Sequence, residues 1–287
     1  MARVTASPRA LLDGVRIPSL PPVCARLNDA VNNPRTSTLE IADLIGSDPA
    51  LTARLLRLVN SSFYSFPSRI ETPSQAVMIV GTAHLCDLAL TTSIARLFKD
   101  VPEGIVSMAS FWRHSIACGL GARLLAAYRQ EPNVERYFVA GMLHDIGRLV
   151  LYQQAPGASR EVLLRARGEE RLLHDVEREA FGYDHAGVGA ELMRLWSLPA
   201  SLEEAVAFHH EPRRARRYPL EAALVHVGDI VAQALEMGTS GERLVPPLEA
   251  AAWDMIELSP RILPDAVAAL ERQFDDVAAA MLEEVVR

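Results

Sequence analysis

Apolar residues recur three and four positions apart along nearly the whole chain, the spacing that puts them on one face of an α-helix. The strict alternation of a half-buried strand is scarce, and Ala, Leu, Arg and Glu, all strong helix formers, fill these stretches. The pattern predicts an all-α protein. Ile17-Pro-Ser-Leu-Pro-Pro22 reads as an extended entry segment, because its prolines remove amide donors. A helix is expected from about Val23 to Asn32, closed by Asn33-Pro34. Ser37-Thr-Leu-Glu40 has the form of a capping box, so the next helix runs over Leu39–Ile45 and stops at Gly46-Ser47. Asp48-Pro49 restarts a helix with an aspartate cap and a proline in the first turn. Its buried face carries Leu51, Leu55, Leu58 and Val59, and it ends near Asn60.

Further helices are expected over Thr72–Val80, Thr82–Phe98, Phe111–Tyr128, Val134–Tyr152, Ala158–Phe181, His185–Trp196, Leu202–His209 and Leu220–Met237. More helix follows the Leu244-Val-Pro-Pro247 break toward the C-terminus. Asp100-Val-Pro-Glu-Gly104 is the one weak boundary. It separates an N-terminal helical bundle, residues 1–104, from a second helical bundle, residues 105–287. There is no internal repeat and no low-complexity tract.

Composition narrows the class without deciding it. The 287 residues are 49% hydrophobic and 23% charged, ordinary values for a globular protein with ample core. A net charge of −7 argues against nucleic acid or acidic membranes as general partners. The one dense basic run, Arg213, Arg214, Arg216 and Arg217, reads as a solvated loop. Cys24, Cys86 and Cys118 are odd in number and widely spaced, which fits reduced thiols and not a disulfide framework. No signal-peptide core and no bilayer-length apolar run is present, so a cytoplasmic location without membrane contact is expected.

The chemistry concentrates in Gly141-Met-Leu-His144-Asp145-Ile-Gly147-Arg148. An imidazole beside a carboxylate can grip one cation from neighbouring helix positions. Further donors, His114, His185, His209, His210 and Asp229, follow at intervals suited to successive helices of one bundle. Imidazole nitrogens and carboxylate oxygens form a borderline-hard donor set, suited to Fe, Mn, Zn or Ni. A carboxylate can bridge two such ions, so the set has the composition of a mono- or binuclear phosphohydrolase site. His84, His174 and His226 are read as hydrogen-bonded core histidines. Thr38–Asn60 is also laid out as a helix-turn-helix, with Thr52, Arg54 and Arg57 as its only reasonable base readers. Phe63, Tyr64 and Phe66 form an aromatic turn that reads as a core plug.

At these residues the chain resembles the HDOD proteins, the HD-related output domains of bacterial signalling. The resemblance spans roughly residues 17–212. It includes Pro18-Ser-Leu-Pro-Pro22, Ile45-Gly-Ser-Asp-Pro-Ala-Leu51, Leu55-Leu-Arg-Leu-Val-Asn-Ser61 and Gln75-Ala-Val-Met-Ile-Val-Gly81. It continues through Phe111-Trp-Arg-His-Ser115, Gly141-Met-Leu-His-Asp-Ile-Gly147, Glu179-Ala-Phe-Gly-Tyr-Asp-His185, Trp196-Ser-Leu-Pro199 and His209-His-Glu-Pro212. It implies an N-terminal helical bundle packed on an HD-like one, and a regulatory role exercised through contacts with other signalling proteins. By similarity to the wider HD superfamily, His114, His144, Asp145, His185, His209, His210 and Asp229 stand at or near its metal-ligand positions, and a nucleotide becomes a candidate ligand. Two departures weigh against the phosphodiesterase activity of the HD-GYP branch. Arg148 stands where that branch carries a lysine, and the segment after His209-His-Glu211 lacks its Asp-Gly-x-Gly-Tyr-Pro sequence. If the chain is nonetheless an enzyme, Asp145 and Arg148 are its expected catalytic pair.

Overall fold

The computed structural model describes residues 7–13, 19–98, 101–102 and 104–282. Among the described residues it contains helices and no strand. The chain runs α1 (Pro8–Asp13), α2 (Pro22–Asn32), α3 (Thr38–Gly46), α4 (Pro49–Val59), α5 (Pro73–Val80) and α6 (Thr82–Ala95). It continues through α7 (Met108–Tyr128), α8 (Glu135–Leu143), α9 (Ile146–Gln154), α10 (Pro156–Glu169) and α11 (Leu173–Phe181). Then come α12 (His185–Leu195), α13 (Ala200–Phe208), α14 (Pro219–Ala234), α15 (Ala250–Ile256) and α16 (Leu263–Leu282). No single described helix is long and apolar enough to cross a membrane.

These helices fall into two compact units. One takes α2 to α6 together with the part of α16 from Ala269 onward; the other takes α1 and the chain from α7 to Ala268. The two ends of the chain are therefore exchanged relative to a simple division near residue 104. Part of the expected boundary segment, Asp100 and Glu103, and part of the expected entry segment, Ile17 and Pro18, lie outside the described residues.

In the first unit the caps form as the sequence requires. Glu40 N donates to Ser37 Oγ at 3.2 Å and Ser37 N donates to Glu40 Oε2 at 2.7 Å, closing the capping box of α3. Asp48 Oδ1 accepts from Ala50 N and Leu51 N, both at 3.0 Å, at the start of α4. Gly81, at φ +94°, makes the sharp turn between α5 and α6 that a side-chain-bearing residue would resist. Phe63 is buried and Tyr64 stacks on Phe66 at 5.1 Å, so the aromatic turn packs on itself. Of the three readers of the helix-turn-helix layout, Arg54 is buried, the Thr52 hydroxyl donates to the Ile45 carbonyl at 2.9 Å, and Arg57 is half-buried.

The second unit is organised around α7, which is buried along most of its 21 residues and packs on α8 and α14. These helices meet backbone to backbone. A Cβ on Gly141 would lie 2.7 Å from Gly119 Cα, and one on Gly228 would lie 2.7 Å from Cys118 O. α12 packs on α9 in the same manner, through Gly147, while its contact with α13 sets the Val206 side chain against Gly189. Two expected helices are broken. Val134–Tyr152 is interrupted at His144-Asp145, where Asp145 takes φ −97°, ψ 6° and Arg148 N reaches back to Asp145 O at 2.8 Å. Ala158–Phe181 divides at Glu170, which adopts a left-handed φ of 51°. Helical periodicity continues across both breaks, which is why the apolar pattern conceals them.

Candidate metal centre

Five elements of the second unit deliver the candidate ligands. His114 comes from the second turn of α7, His144 and Asp145 from the α8–α9 turn, and Asp229 from α14. His185 opens α12, and His209 and His210 follow α13. The position of His185 is set locally. Gly182, at φ +83°, ends α11, and Asp184 caps α12 by accepting from Gly187 N at 3.0 Å. This tight reversal returns His185 to Glu177 of α11.

All seven residues meet. His114 Nε2 lies 3.1 Å from Asp229 Oδ1, and His144 Nε2 lies 3.2 Å from Asp145 Oδ2. His185 Nε2 lies 2.9 Å from Asp145 Oδ1, 3.0 Å from His210 Nε2 and 3.3 Å from His209 Nε2. They form three overlapping triads, His114–His144–Asp229, His144–Asp145–His209 and His185–His209–His210, each with donor atoms within 4.8 Å of one another. The two oxygens of Asp145 thus face different histidine sets. Every member is buried except His210, which is half-buried.

The imidazoles are oriented from behind. His144 Nδ1 donates to Gly141 O at 2.6 Å and His209 Nδ1 donates to Val206 O at 2.8 Å. His185 Nδ1 lies 2.5 Å from Glu177 Oε2. A carbonyl only accepts, so in each neutral ring the lone pair belongs to Nε2 and faces the centre. This is the carboxylate- or carbonyl-backed histidine of metal sites. Glu177 is the residue that sequence reasoning missed, since nothing in its spacing from His185 marks the reversal between α11 and α12. His226, read as a core residue, donates from Nδ1 to His209 O at 2.7 Å and accepts from Glu249 N at 3.0 Å. It fixes the backbone that carries the histidine doublet. His174 stacks on His210 with ring centroids 4.0 Å apart. His84 belongs to α6, in the other unit.

Charge in the centre is unbalanced. Asp145, Asp229 and Glu177 are buried against one buried guanidinium, that of Arg148. Burial would raise the Asp145 carboxyl, but Arg148, His144 and His185 hold it well below the usual carboxylate range. Asp229 is likewise held low against burial, by His114 and His144. Burial would lower His144, yet Asp145 lifts it well above its ordinary value. Burial and Arg148 oppose protonation of His185, and Glu177 and Asp145 carry it up to about 9. His209 and His210 are pushed well below the ordinary imidazole value, first by burial and then by neighbouring histidines. A centre with this excess of buried carboxylate suits a divalent cation. His144 Nε2 and Asp145 Oδ1 are buried within it, the first 3.2 Å from Asp145 Oδ2 and the second 2.9 Å from His185 Nε2.

Arg148 is sealed inside the protein. It is 2% exposed, with Nη1 at 2.5 Å from Ser240 Oγ and 3.3 Å from Asp145 Oδ2, and Nε at 3.7 Å from Glu177 Oε1. It braces the rear of the centre. The basic run after His210 is a structural corner: Arg214 pairs with Glu211 at 2.5 Å, and Glu204 accepts the amides of Arg216, Arg217 and Tyr218.

Replacing Glu177 with glutamine is expected to weaken transition-metal affinity roughly 10- to 100-fold while the fold persists, because the amide orients His185 less firmly and withdraws charge. Competition titration with a chromogenic chelator measures this; an unchanged affinity would remove Glu177 from the centre.

An all-α bundle with a histidine–aspartate cluster at this turn defines a protein of the HD type. The HDOD domain model matches residues 17–212, more than half of the chain, and the chain belongs to the HDOD domain family. An uncharacterized protein of Treponema pallidum (strain Nichols) is 26% identical over 234 residues, 79% of this chain and 44% of that protein. The chain thus spans less than half of that relative's length. An HDOD domain protein of unknown function from Geobacter sulfurreducens superposes with a TM-score of 0.78 at 27% identity, over 96% of each chain. A Shewanella amazonensis SB2B protein with a provisional phosphohydrolase name superposes at 0.77 with 24% identity, over 96% of this chain and 98% of that one, a likeness of fold alone.

Proposed function

We propose that this protein is a signalling regulator that acts through contacts with other signalling proteins, gated by a divalent metal held at the histidine–aspartate centre. His114, His144, Asp145 and Asp229 would hold one ion, and His185, His209 and His210 a second, with Asp145 shared between them. The observation that carries this reading is the pairing of a complete donor set with near-total burial. A transition metal there supplies Lewis acidity and strong cross-links between helices. The chain's own residues supply the rest: Glu177 and the backing carbonyls orient the imidazoles, Arg148 braces Asp145, and packing keeps water out. Ions that bind only the converged arrangement of these helices favour it by mass action, by about 2.7 kcal/mol at a hundredfold excess over Kd.

The second reading is a metal-dependent phosphohydrolase of nucleotides or cyclic dinucleotides, favoured by the two-sided placement of Asp145. The buried position of Arg148 favours the first reading, since it cannot contact a substrate phosphate without leaving Asp145. Elemental analysis of tag-free protein, together with a nucleotide and cyclic-dinucleotide panel, separates the two. We expect stoichiometric transition metal and no turnover. Turnover that Asp145→Ala abolishes would establish the enzyme instead, and protein that takes up no Fe, Mn, Zn or Ni would end the metal-gated reading.

A further inference from the structure

On the far side of the loop that carries Ser240 lies a cleft of about 540 Å³, a volume within the range of small-molecule sites. Its rim holds three guanidinium groups, Arg160, Arg167 and Arg243, and among the described residues its lining contains no carboxylate. That is unusual placement in a chain of net charge −7. Arginines near the cleft are neutralised: Arg165 and Arg171 both pair with Glu169 and Glu179. Arg167, on the same helix as Arg165, and Arg243 have no hydrogen-bonding or ionic side-chain partner among the described residues. An adjoining cavity of about 320 Å³ shares both arginines and adds Glu170 and Glu242. Glu242 is already engaged, accepting from the amides of Leu173, Arg243 and Leu244.

The remaining walls suit the rest of a nucleotide. Ile105, Val106 and Leu163 offer an apolar face for a base, while the hydroxyls of Ser107 and Thr239 are held by Ser110 N and by Glu242 O and Gly241 N. Ser107 also caps the 21-residue helix α7, so the positive end of a long helix adds to the arginines. The floor is the loop 238–243. Its two faces serve two sites: Thr239, Gly241 and Arg243 line the cleft, while Ser240 accepts from Arg148 through Oγ and from Tyr152 through its carbonyl, at 2.5 and 2.7 Å. Gly241 permits this, since a Cβ there would strike the Tyr152 hydroxyl.

We propose that this cleft binds a nucleoside phosphate, with Arg167 and Arg243 on the phosphates, at a site separate from the histidine–aspartate centre. The ligand contacts the loop whose opposite face braces Arg148, so its occupancy is placed to bear on that residue. The inference stands independently of the metal-gated reading.

Isothermal titration of the full-length protein with nucleoside triphosphates, cyclic dinucleotides and inorganic pyrophosphate tests it, alongside hydrogen exchange and elemental analysis. We expect saturable binding of a nucleotide, weakened roughly tenfold or more by the double substitution Arg167→Glu and Arg243→Glu, because two charge-assisted contacts are lost. Metal content should be the same in both proteins, and nucleotide should slow exchange over residues 239–243. Both arginines are exposed, so the variant is expected to fold, and its thermal midpoint verifies this. Binding of no nucleotide, equal affinity in the variant, or protection confined to His209 and His210 would overturn the proposal. Pyrophosphate binding as tightly as any nucleotide would also overturn it, leaving a simple anion site.

Discussion

Gly147→Ala is expected to destabilise the histidine-bearing unit by about 3 kcal/mol or more and to disperse its metal donors. A Cβ at this position would collide with the His185 carbonyl oxygen and lie 2.7 Å from Gly189 N. Both obstacles are backbone, so no side-chain rotation relieves the clash. The only relief is separation of α9 from α12, and α12 begins with His185 itself. One methyl group therefore acts on packing and on the centre together. Chemical denaturation should show a lower midpoint with an unchanged m-value. Chelator competition should show weaker metal retention at denaturant-free conditions. Gly168→Ala is the control, because a Cβ there meets nothing within 4 Å and helix propensity favours alanine by up to about 1 kcal/mol. A Gly147→Ala protein as stable as the parent would show that the helices are not held at this distance.

Asp145→Ala is expected to have the second large effect, eliminating metal binding and costing about 3 kcal/mol in metal-free protein. Asp145 stands within 3.6 Å of His114, His144, His185 and Arg148. Its removal leaves the Arg148 guanidinium buried with Glu177 as its remaining charged partner, at 3.7 Å. His144 and His185 lose a main cause of their raised pKa values and can shed protons, which holds the cost at the lower end for a broken buried pair. Elemental analysis and urea denaturation read the two effects separately. Retention of stoichiometric metal by the variant would exclude Asp145 as a shared ligand.

How the centre assembles explains what could be read beforehand. The candidate ligands were visible because each is an unusual residue type in an apolar helical run, and the His144-Asp145 pair marks the place where two helices meet. The break of the helix there was not visible, because apolar periodicity passes through it. Glu177 was hidden for a different reason. It resembles any exposed helix glutamate until Gly182 and Asp184 reverse the chain and bury it behind His185. Arg148 is legible as a charge, but its burial beside Asp145, Glu177 and Ser240 is not, since charge in a sequence carries no information about burial.

By itself, then, the sequence determined the helical class, the caps at Ser37 and Asp48, and which seven histidine and aspartate residues are the candidate ligands. These depend on local spacing and side-chain chemistry, which neighbours in the chain suffice to express. Only the tertiary structure decided that Asp145 faces two histidine sets, that Arg148 is sealed behind it, and that α16 contributes to the unit of the N-terminal helices. Those outcomes rest on contacts between residues tens to hundreds of positions apart, made possible where glycines let helix backbones touch.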